Sequence, residues 1–480
     1  MEHFDTKRHA ARRRPFDALE AEVVRRALKH GDDPEIVDAL RYVISFARLG
    51  WVTNEAGQLI DVGGISARFA LEIRELLEAR LAESDTNWGA VRALPELLRR
   101  TRQARSSALD HLPIDRDSLE REVTTRKLVV VSGGGGGAGY VYPGAYELLE
   151  RQGLLPDLMV GTSMGALTSM FRARRLRYDP AAQIAASKQL SWAKVFRVLQ
   201  TNNRYGLPAT LRLYLRAALD NLFWNEAEGR PFRMHDCEIP LYIIVSGITV
   251  DALKHDLDFF EHLLDDGASS STRRRTRSAL KALNILREFL SRPDALREIV
   301  VGRDPGTEEF DVLDAAGFSA AIPGVIHYDV LRDDPHMTRI LDRLYAEYGI
   351  TRLGEGGMVA NVPSRVGWET ATSGALGGTH NAFVLALDCF APSATNPVWY
   401  PMQQAVYLAN VAEHNRYADL YLPMRRTPSP VNLVPPLPEL LEAMRWGSDE
   451  LEPHMPFVQA MVRPIAPLPE REPSGEPASR

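Results

Sequence analysis

The sequence predicts an α/β fold preceded by a helical region, and three observations carry that prediction. Strand–loop–helix occurs twice within about 50 residues after residue 127, the rhythm of an α/β chain. Residues 1–126 read instead as helices separated by short polar breaks. With 45% apolar residues in 480, the chain can bury at least one sizeable core.

In the leader, Phe16, Leu19, Val23, Ala27 and Leu28 recur at 3-4 spacing, and Phe69, Leu71, Ile73, Leu76, Leu77 and Leu81 give a second apolar face. Asp115 and Ser118 start a further helix, with Glu122 near enough for capping. Residues 1–126 carry no catalytic constellation and read as a packing or partner-docking region. Leu128–Ser132 is a continuous apolar run of the kind that forms buried parallel strands, and six of residues 133–139 are glycine. Tyr140–Arg151 reads as a helix, and Asp157–Gly161 leads through Thr162 and Ser163 into another. Residues 180–235 read as mostly helical, with Trp192, Phe196, Tyr214, Phe223 and Trp224 among them. Pro240–Val250 is a strand, 251–303 a charged helical insert, Phe318–Tyr328 a tight small-residue segment, Glu355–Pro363 a glycine turn, and Ala382–Phe390 a strand. Proline becomes frequent from 423. The expected organisation is therefore 1–126 helical, 127–422 α/β, and 423–480 a proline-rich extension disordered from about 464.

Composition excludes several classes. Two cysteines, Cys237 and Cys389, make neither a disulfide framework nor a four-cysteine zinc site. A net charge of −6 is poor for a nucleic-acid binder, whose affinity comes from neutralising phosphates. No stretch approaches the roughly 18 apolar residues of a spanning helix, and the basic amino terminus lacks the apolar core of a secretory signal. These features predict a soluble, cytoplasmic protein.

The strongest chemical signal is Gly161-Thr162-Ser163-Met164-Gly165, a G-x-S-x-G between a predicted strand and helix. A sharp turn there exposes the serine oxygen, the glycines remove side chains that would collide, and the following helix points its positive end at developing negative charge. The bland alternative is a tight turn containing serine. The glycine run before it has three readings. A Walker loop would need a closing Gly-Lys-Ser/Thr, which is missing. Gly134, Gly136 and Gly139 satisfy a dinucleotide fingerprint, but Asp157, the acid at the right distance, precedes its strand rather than ending one. The third reading is an oxyanion loop, with a nucleophile-like serine 24 residues after Gly139.

Taken in order, Gly134-Gly135-Gly136, Gly139, Gly144, Gly161–Gly165, Ser319-Ala320-Ala321-Ile322-Pro323 and Glu355-Gly356-Gly357-Met358-Val359-Ala360-Asn361-Val362-Pro363 resemble the patatin-like phospholipases over roughly residues 127–391. The resemblance implies a three-layer α/β/α core with a mainly parallel sheet and a serine–acid dyad hydrolase of lipid acyl esters. It implies Ser163 as nucleophile in an elbow with Gly161, Met164 and Gly165. Amides of Gly134, Gly135, Gly136 and Gly137 would form the oxyanion hole, and Glu355 would be the acid of a motif with Gly356 and Gly357. No metal or organic cofactor is implied; the expected partners are a lipid or acyl-ester substrate and, peripherally, a membrane. Two positions depart from the family pattern. Ala138 stands where Arg or Lys is usual, and Glu355 replaces Asp, which moves the carboxylate about 1.5 Å on a fixed backbone.

Other readings remain open at this stage. The same fold family pattern fits a catalytically weak or partner-binding protein. A Ser–Asp–His hydrolase would draw on Asp388 with His414, or Asp419 with His454. Asp266-Gly267-Ala268 spells the usual acidic motif but precedes Ser319–Pro323, out of order. His255 and His262, with Asp258 and Glu261, are two helical turns apart and fit a solvated helix better than a metal site. Arg273, Arg274, Arg275 and Arg277 form either an exposed loop or a lipid-headgroup contact. Tyr140, Tyr142, Met164, Met170 and Phe171 flank the proposed site as acyl tunnel or as core.

Overall fold

The structure is a computed structural model that describes residues 6–189, 191–198, 204–207, 209–249, 295–330, 333–393 and 399–469. These fall into two compact units. One draws on Met1–Leu128, Trp368–Phe383 and Pro453–Arg480, the other on Val129–Gly367 and Val384–Glu452.

The first unit contains helices α1 (Thr6–His30), α2 (Pro34–Ala47), α3 (Gly63–Ala82), α4 (Trp88–His111) and α5 (Arg116–Thr124), with an antiparallel pair β1 (Trp51–Thr53) and β2 (Leu59–Asp61). The 3-4 periodicity buries Val23, Ile73 and Leu77, whereas Leu28 and Leu71 stay half exposed. Asp115 caps α5 by accepting from the Ser118 N–H at 2.6 Å; Glu122 lies outside the cap and accepts from the His380 N–H instead. Arg48 reaches Asp17 at 2.7 Å and Glu20 at 2.9 Å, and Arg41 meets Glu20 at 3.0 Å, all buried. Removing one member of such a network strands a charge, which costs roughly 3–5 kcal/mol. The expected disorder from 464 is corrected in part: Ile465 is buried and its N–H donates to the Thr124 carbonyl. Residues 470–480 lie outside the described residues.

The second unit is built on β3 (Lys127–Ser132), β4 (Leu158–Thr162), β5 (Phe196–Val198), β6 (Ala209–Leu213), β7 (Trp224–Asn225), β8 (Arg230–Pro231), β9 (Leu241–Thr249), β10 (Leu296–Val301), β11 (Gly324–His327), β12 (Ile350–Gly354), β13 (Ala382–Asp388) and β14 (Leu420–Pro423). The central sheet runs β10-β9-β4-β3-β13-β14, with β12 also on β9. The pairs β3–β4, β4–β9 and β13–β14 are parallel, while β10 and β12 run antiparallel to β9. This is a mixed α/β fold with a mainly parallel sheet, as the sequence predicts. Among the described residues no helix is long and apolar enough to cross a membrane.

Two expectations are corrected here. The helical insert over 251–303 does not extend to its end, because Leu296–Val301 is strand β10, paired with Ile243–Ile248; residues 251–294 lie outside the described residues. Residues 180–235 are not mostly helical. The short helices α8 (Pro180–Gln189), α9 (Trp192–Val195) and α10 (Leu215–Leu219) alternate with β5 and β6, which join β11 in a three-stranded sheet, and with the β7–β8 pair.

Helices α6 (Tyr142–Arg151), α7 (Met164–Ala173), α11 (Val312–Ser319), α12 (Gly357–Ala360) and α13 (Leu437–Leu451) complete the parts that position the site. Helix α13, from the proline-rich extension, meets α6 backbone to backbone. A Cβ on Gly144 would stand 1.7 Å from the Met444 carbonyl oxygen, so only glycine permits the crossing.

Candidate active site

Strand β4 ends at Thr162 and α7 begins at Met164, leaving Ser163 on the turn between them. Its φ of 54° is the only positive one at a non-glycine among the described residues. Such a backbone costs about 1–3 kcal/mol and persists only where neighbours over-determine it. Here the Ser163 N–H donates to Ser319 Oγ at 2.8 Å, and that hydroxyl donates to the Ile244 carbonyl at 2.6 Å. Gly161 and Gly165 have no room for a side chain: a Cβ on Gly165 would lie 2.0 Å from the Ser132 carbonyl oxygen. The partial positive charge of the α7 amino terminus falls at Ser163.

Sheet register brings the acid to the serine. Strand β10 occupies one edge of β9, so β4 and β12 share the other. Strand β4 runs parallel to β9 and stops with Thr162 opposite Ile244. Strand β12 runs antiparallel and stops with Gly354 opposite Ser246. The two strands thus meet head to head, and the residues that follow them, Ser163 and Glu355, turn out of the sheet at the same gap. The Glu355 carboxylate comes to lie beside Ser163: a Cβ on Gly134 would stand 3.0 Å from Ser163 Cβ and 3.5 Å from Glu355 Oε1. Its backbone is anchored by Ser246 Oγ, which donates to the Glu355 carbonyl at 2.8 Å, and Gly356 N–H donates to the Ser319 carbonyl at 3.2 Å. Ser319 therefore ties both sides of the pair. Burial raises the Glu355 carboxyl from 4.5 to about 7, against the opposing pull of the neighbouring Ser163 hydroxyl and Gly357 N–H. The longer side chain fits because Gly357, at the start of α12, has no Cβ; one there would stand 2.9 and 3.0 Å from the two carboxylate oxygens.

The four glycine amides do not stand alike, and the expected quartet is corrected. Gly134 N–H donates to the Asn361 carbonyl at 3.1 Å, and Gly137 N–H to the Pro430 carbonyl at 2.8 Å. Among the described residues, only the Gly135 and Gly136 amides of the four lack an acceptor. Asn361 Nδ2 closes back on the Gly134 carbonyl at 3.3 Å, while Asn410 accepts from the Asn361 N–H and donates to the Gly357 carbonyl, each at 3.0 Å. These amides bolt the glycine loop to the acidic turn. Sequence reasoning quoted Asn361 only within a motif and missed Asn410, which no local pattern marks.

Residues Ser429–Val434 lie against the loop. Tyr140 donates its hydroxyl to the Leu433 carbonyl at 2.8 Å, and a Cβ on Gly137 would stand 2.3 Å from the Asn432 carbonyl oxygen. Leu433 and Val434 help wall a pocket with about 800 Å³ of empty space, open solvent included, whose lining reaches Ser163 and Gly136. Tyr140, Met164, Met170 and Phe171 line it, with Phe196, Leu213, Leu215 and Leu219 among its other apolar walls. Tyr142 does not. It is fully buried, donates to the Gly133 carbonyl and accepts from the Cys389 N–H, so it is core.

Among the described residues no histidine lines this pocket. Asp388 accepts from the Tyr421 hydroxyl at 2.7 Å, and neither it nor His414 reaches the pocket; Asp419 and His454 belong to different units. Asp266–Ala268, the His255–His262 group and Arg273–Arg277 lie outside the described residues. Among the described residues the acidic group close enough to share a cation is Asp311, Asp314 and Asp334. It surrounds the Arg216 guanidinium at 2.5, 2.5 and 3.7 Å.

Residues 129–368, half of the chain, match the family model described as patatin-like phospholipase. No curated protein matches the chain.

Proposed function

Because the chain belongs to the patatin-like phospholipase family, a family of lipid acyl hydrolases, we propose that it hydrolyses lipid acyl esters through a Ser163–Glu355 dyad. Glu355 takes the Ser163 hydroxyl proton as Oγ attacks the ester carbonyl carbon, and the resulting oxyanion is received by the Gly135 and Gly136 amides. Collapse of that intermediate breaks the bond to the alcohol, which leaves with the proton held on Glu355. Water then attacks the acyl-serine, gives its proton to Glu355, and the fatty acid departs as Ser163 recovers its own.

The observation that carries the reading is the placement of Ser163, on its strained turn, beside the buried Glu355 carboxyl at the end of two strands that share one edge of β9, against an apolar pocket; burial raises that carboxyl to about 7. A base with that affinity is half ionised near neutral pH and still strong enough to take a proton in the transition state. Gly135 and Gly136 are assigned because their amides lack other acceptors, whereas Gly134 and Gly137 serve to hold the loop. Membrane contact under this reading is peripheral. Trp192, 46% exposed, packs its ring at a tilt against the pocket residue Phe196, and Val431, 60% exposed, adjoins the segment that supplies Leu433.

Hydrolysis of p-nitrophenyl esters by purified wild type and Ser163→Ala tests the assignment. The variant should fall to the level of buffer while keeping the circular dichroism of the wild type. Unchanged turnover would remove Ser163 from the chemistry.

A further inference from the structure

A second pocket lies in the same unit, with about 670 Å³ of empty space, open solvent included. Its lining differs in kind from that beside Ser163: Arg425, Arg426, Thr427, Trp446 and Gln403 surround it, and Cys389 contributes to it as well. The polar groups left over there are donors. Among the described residues neither the Arg425 nor the Arg426 guanidinium has a carboxylate partner; Arg426 lies 5.3 Å over the Trp446 ring. The Trp446 indole N–H is buried without an acceptor. Gln403 is 5% exposed, and its carbonyl oxygen is taken by the Ser393 N–H at 3.2 Å, which leaves its amide N–H groups to the pocket. The nearby carboxylate, Glu450, is engaged by the backbone N–H groups of Arg425 and Arg426 at 2.7 and 2.6 Å. A cavity with two guanidiniums, an indole N–H and a primary amide, and no uncommitted carboxylate among the described residues that line it, suits a multiply charged oxyanion. Arginine forks match phosphate oxygens in paired hydrogen bonds.

The pocket is not remote from the proposed chemistry. Cys389 Sγ would stand 2.5 Å from a Cβ on Gly135, and Gly136, the next residue, lines the pocket of Ser163. The glycine loop thus separates an apolar pocket from a cationic one. Every residue named for the cationic pocket lies beyond 368, outside the family match.

We propose that Arg425, Arg426, Gln403 and Trp446 form a phosphate-binding site behind the glycine loop. Its link to catalysis rests on the dyad reading above; the site itself does not. The phosphate comes either from the headgroup of a phospholipid whose acyl chain enters the Ser163 pocket or from free phosphate that acts on the loop.

Calorimetric titration of the full chain with inorganic phosphate tests the site directly. Saturable binding is expected in the wild type. It should weaken about tenfold or more in the Arg425→Gln/Arg426→Gln double variant, and by a smaller factor in Trp446→Phe, which keeps the ring and loses the donor. Kinetics then separates the sources. For a headgroup site, the double variant lowers the ratio of kcat/KM for dihexanoyl phosphatidate over dihexanoylglycerol about tenfold. For a free-phosphate site, added phosphate changes the wild-type rate on p-nitrophenyl butyrate, the double variant loses that response, and the ratio holds. Phosphate binding that is absent in the wild type, or equally tight in the double variant, overturns the proposal. Normal phosphate binding by a wild type that hydrolyses no ester would overturn the dyad and leave the site standing.

Discussion

Replacing Glu355 with glutamine keeps the shape of the side chain and removes its ability to ionise, and two effects of opposite sign should follow. The carboxyl holds its proton more tightly in the folded chain, at about 7, than in the unfolded one, at 4.5. Between those values the folded state carries the extra proton, so stability falls as pH rises. The contribution is fully present below about 4.5 and lost once pH passes about 7. At 1.36 kcal/mol per unit, the buried carboxylate costs the wild type about 3 kcal/mol at pH 8 and nothing at pH 4.5. Glu355→Gln escapes that cost, so its stability advantage should be about 3 kcal/mol larger at pH 8 than at pH 4.5. Glu122 also titrates near 7 in the folded chain, but it is common to both proteins and cancels in the difference. Catalysis moves the other way. Wild-type kcat/KM should climb with pH through about 7, while the variant loses roughly 10²–10⁴-fold and shows no such limb. Urea unfolding at the two pH values, with ester hydrolysis from pH 5 to 9, reads both effects. A wild-type profile flat through neutrality, or a variant as fast as wild type, would refute the assignment of Glu355 as base.

Three other substitutions test the surroundings. Glu355→Asp restores the residue usual in the family, yet should cost about a hundredfold in kcat/KM, since the carboxylate retreats about 1.5 Å from a serine placed for the longer side chain. Ser163→Gly and Ser163→Ala both lack the nucleophile, but only glycine accepts the φ of 54° freely; Gly should be more stable in thermal unfolding by roughly 1 kcal/mol. Gly137→Ala drives a Cβ to within 2.3 Å of the Asn432 carbonyl and 2.6 Å of the Ser429 carbonyl. It should lose about 1–3 kcal/mol of stability and most ester turnover, because the segment bearing Pro430 must move off the loop.

What could be read from the sequence was what local order encodes. Ser163 and the glycine run sit where a strand turns into a helix, and Glu355 follows a strand in its own motif, so each was visible within a few residues. Their meeting depends on β4 and β12 sharing one edge of β9, a register that no window of sequence contains. The same limit hid Asn410, Pro430 and Leu433, which act on the loop through contacts made from far along the chain. It also set which glycine amides stay free, since Asn361 and Pro430 take two of them. Between 180 and 235 the helical periodicity yielded to tertiary pairing: Ala209–Leu213 lies beside Gly324–His327, more than 100 residues later. By local pattern Leu296–Val301 belongs to a charged helical insert, but Ile299, Val300 and Val301 are buried against β9.

The central claim is that Ser163 is an activated nucleophile, and reaction of the full chain with a fluorophosphonate probe tests it most directly. Peptide mapping should find the adduct on Ser163, Ser163→Ala should not react, and the Glu355→Gln protein should label at least about a hundredfold more slowly at pH 8. A wild type that stays unlabelled, or a Ser163→Ala protein that labels as fast as wild type, would contradict the account.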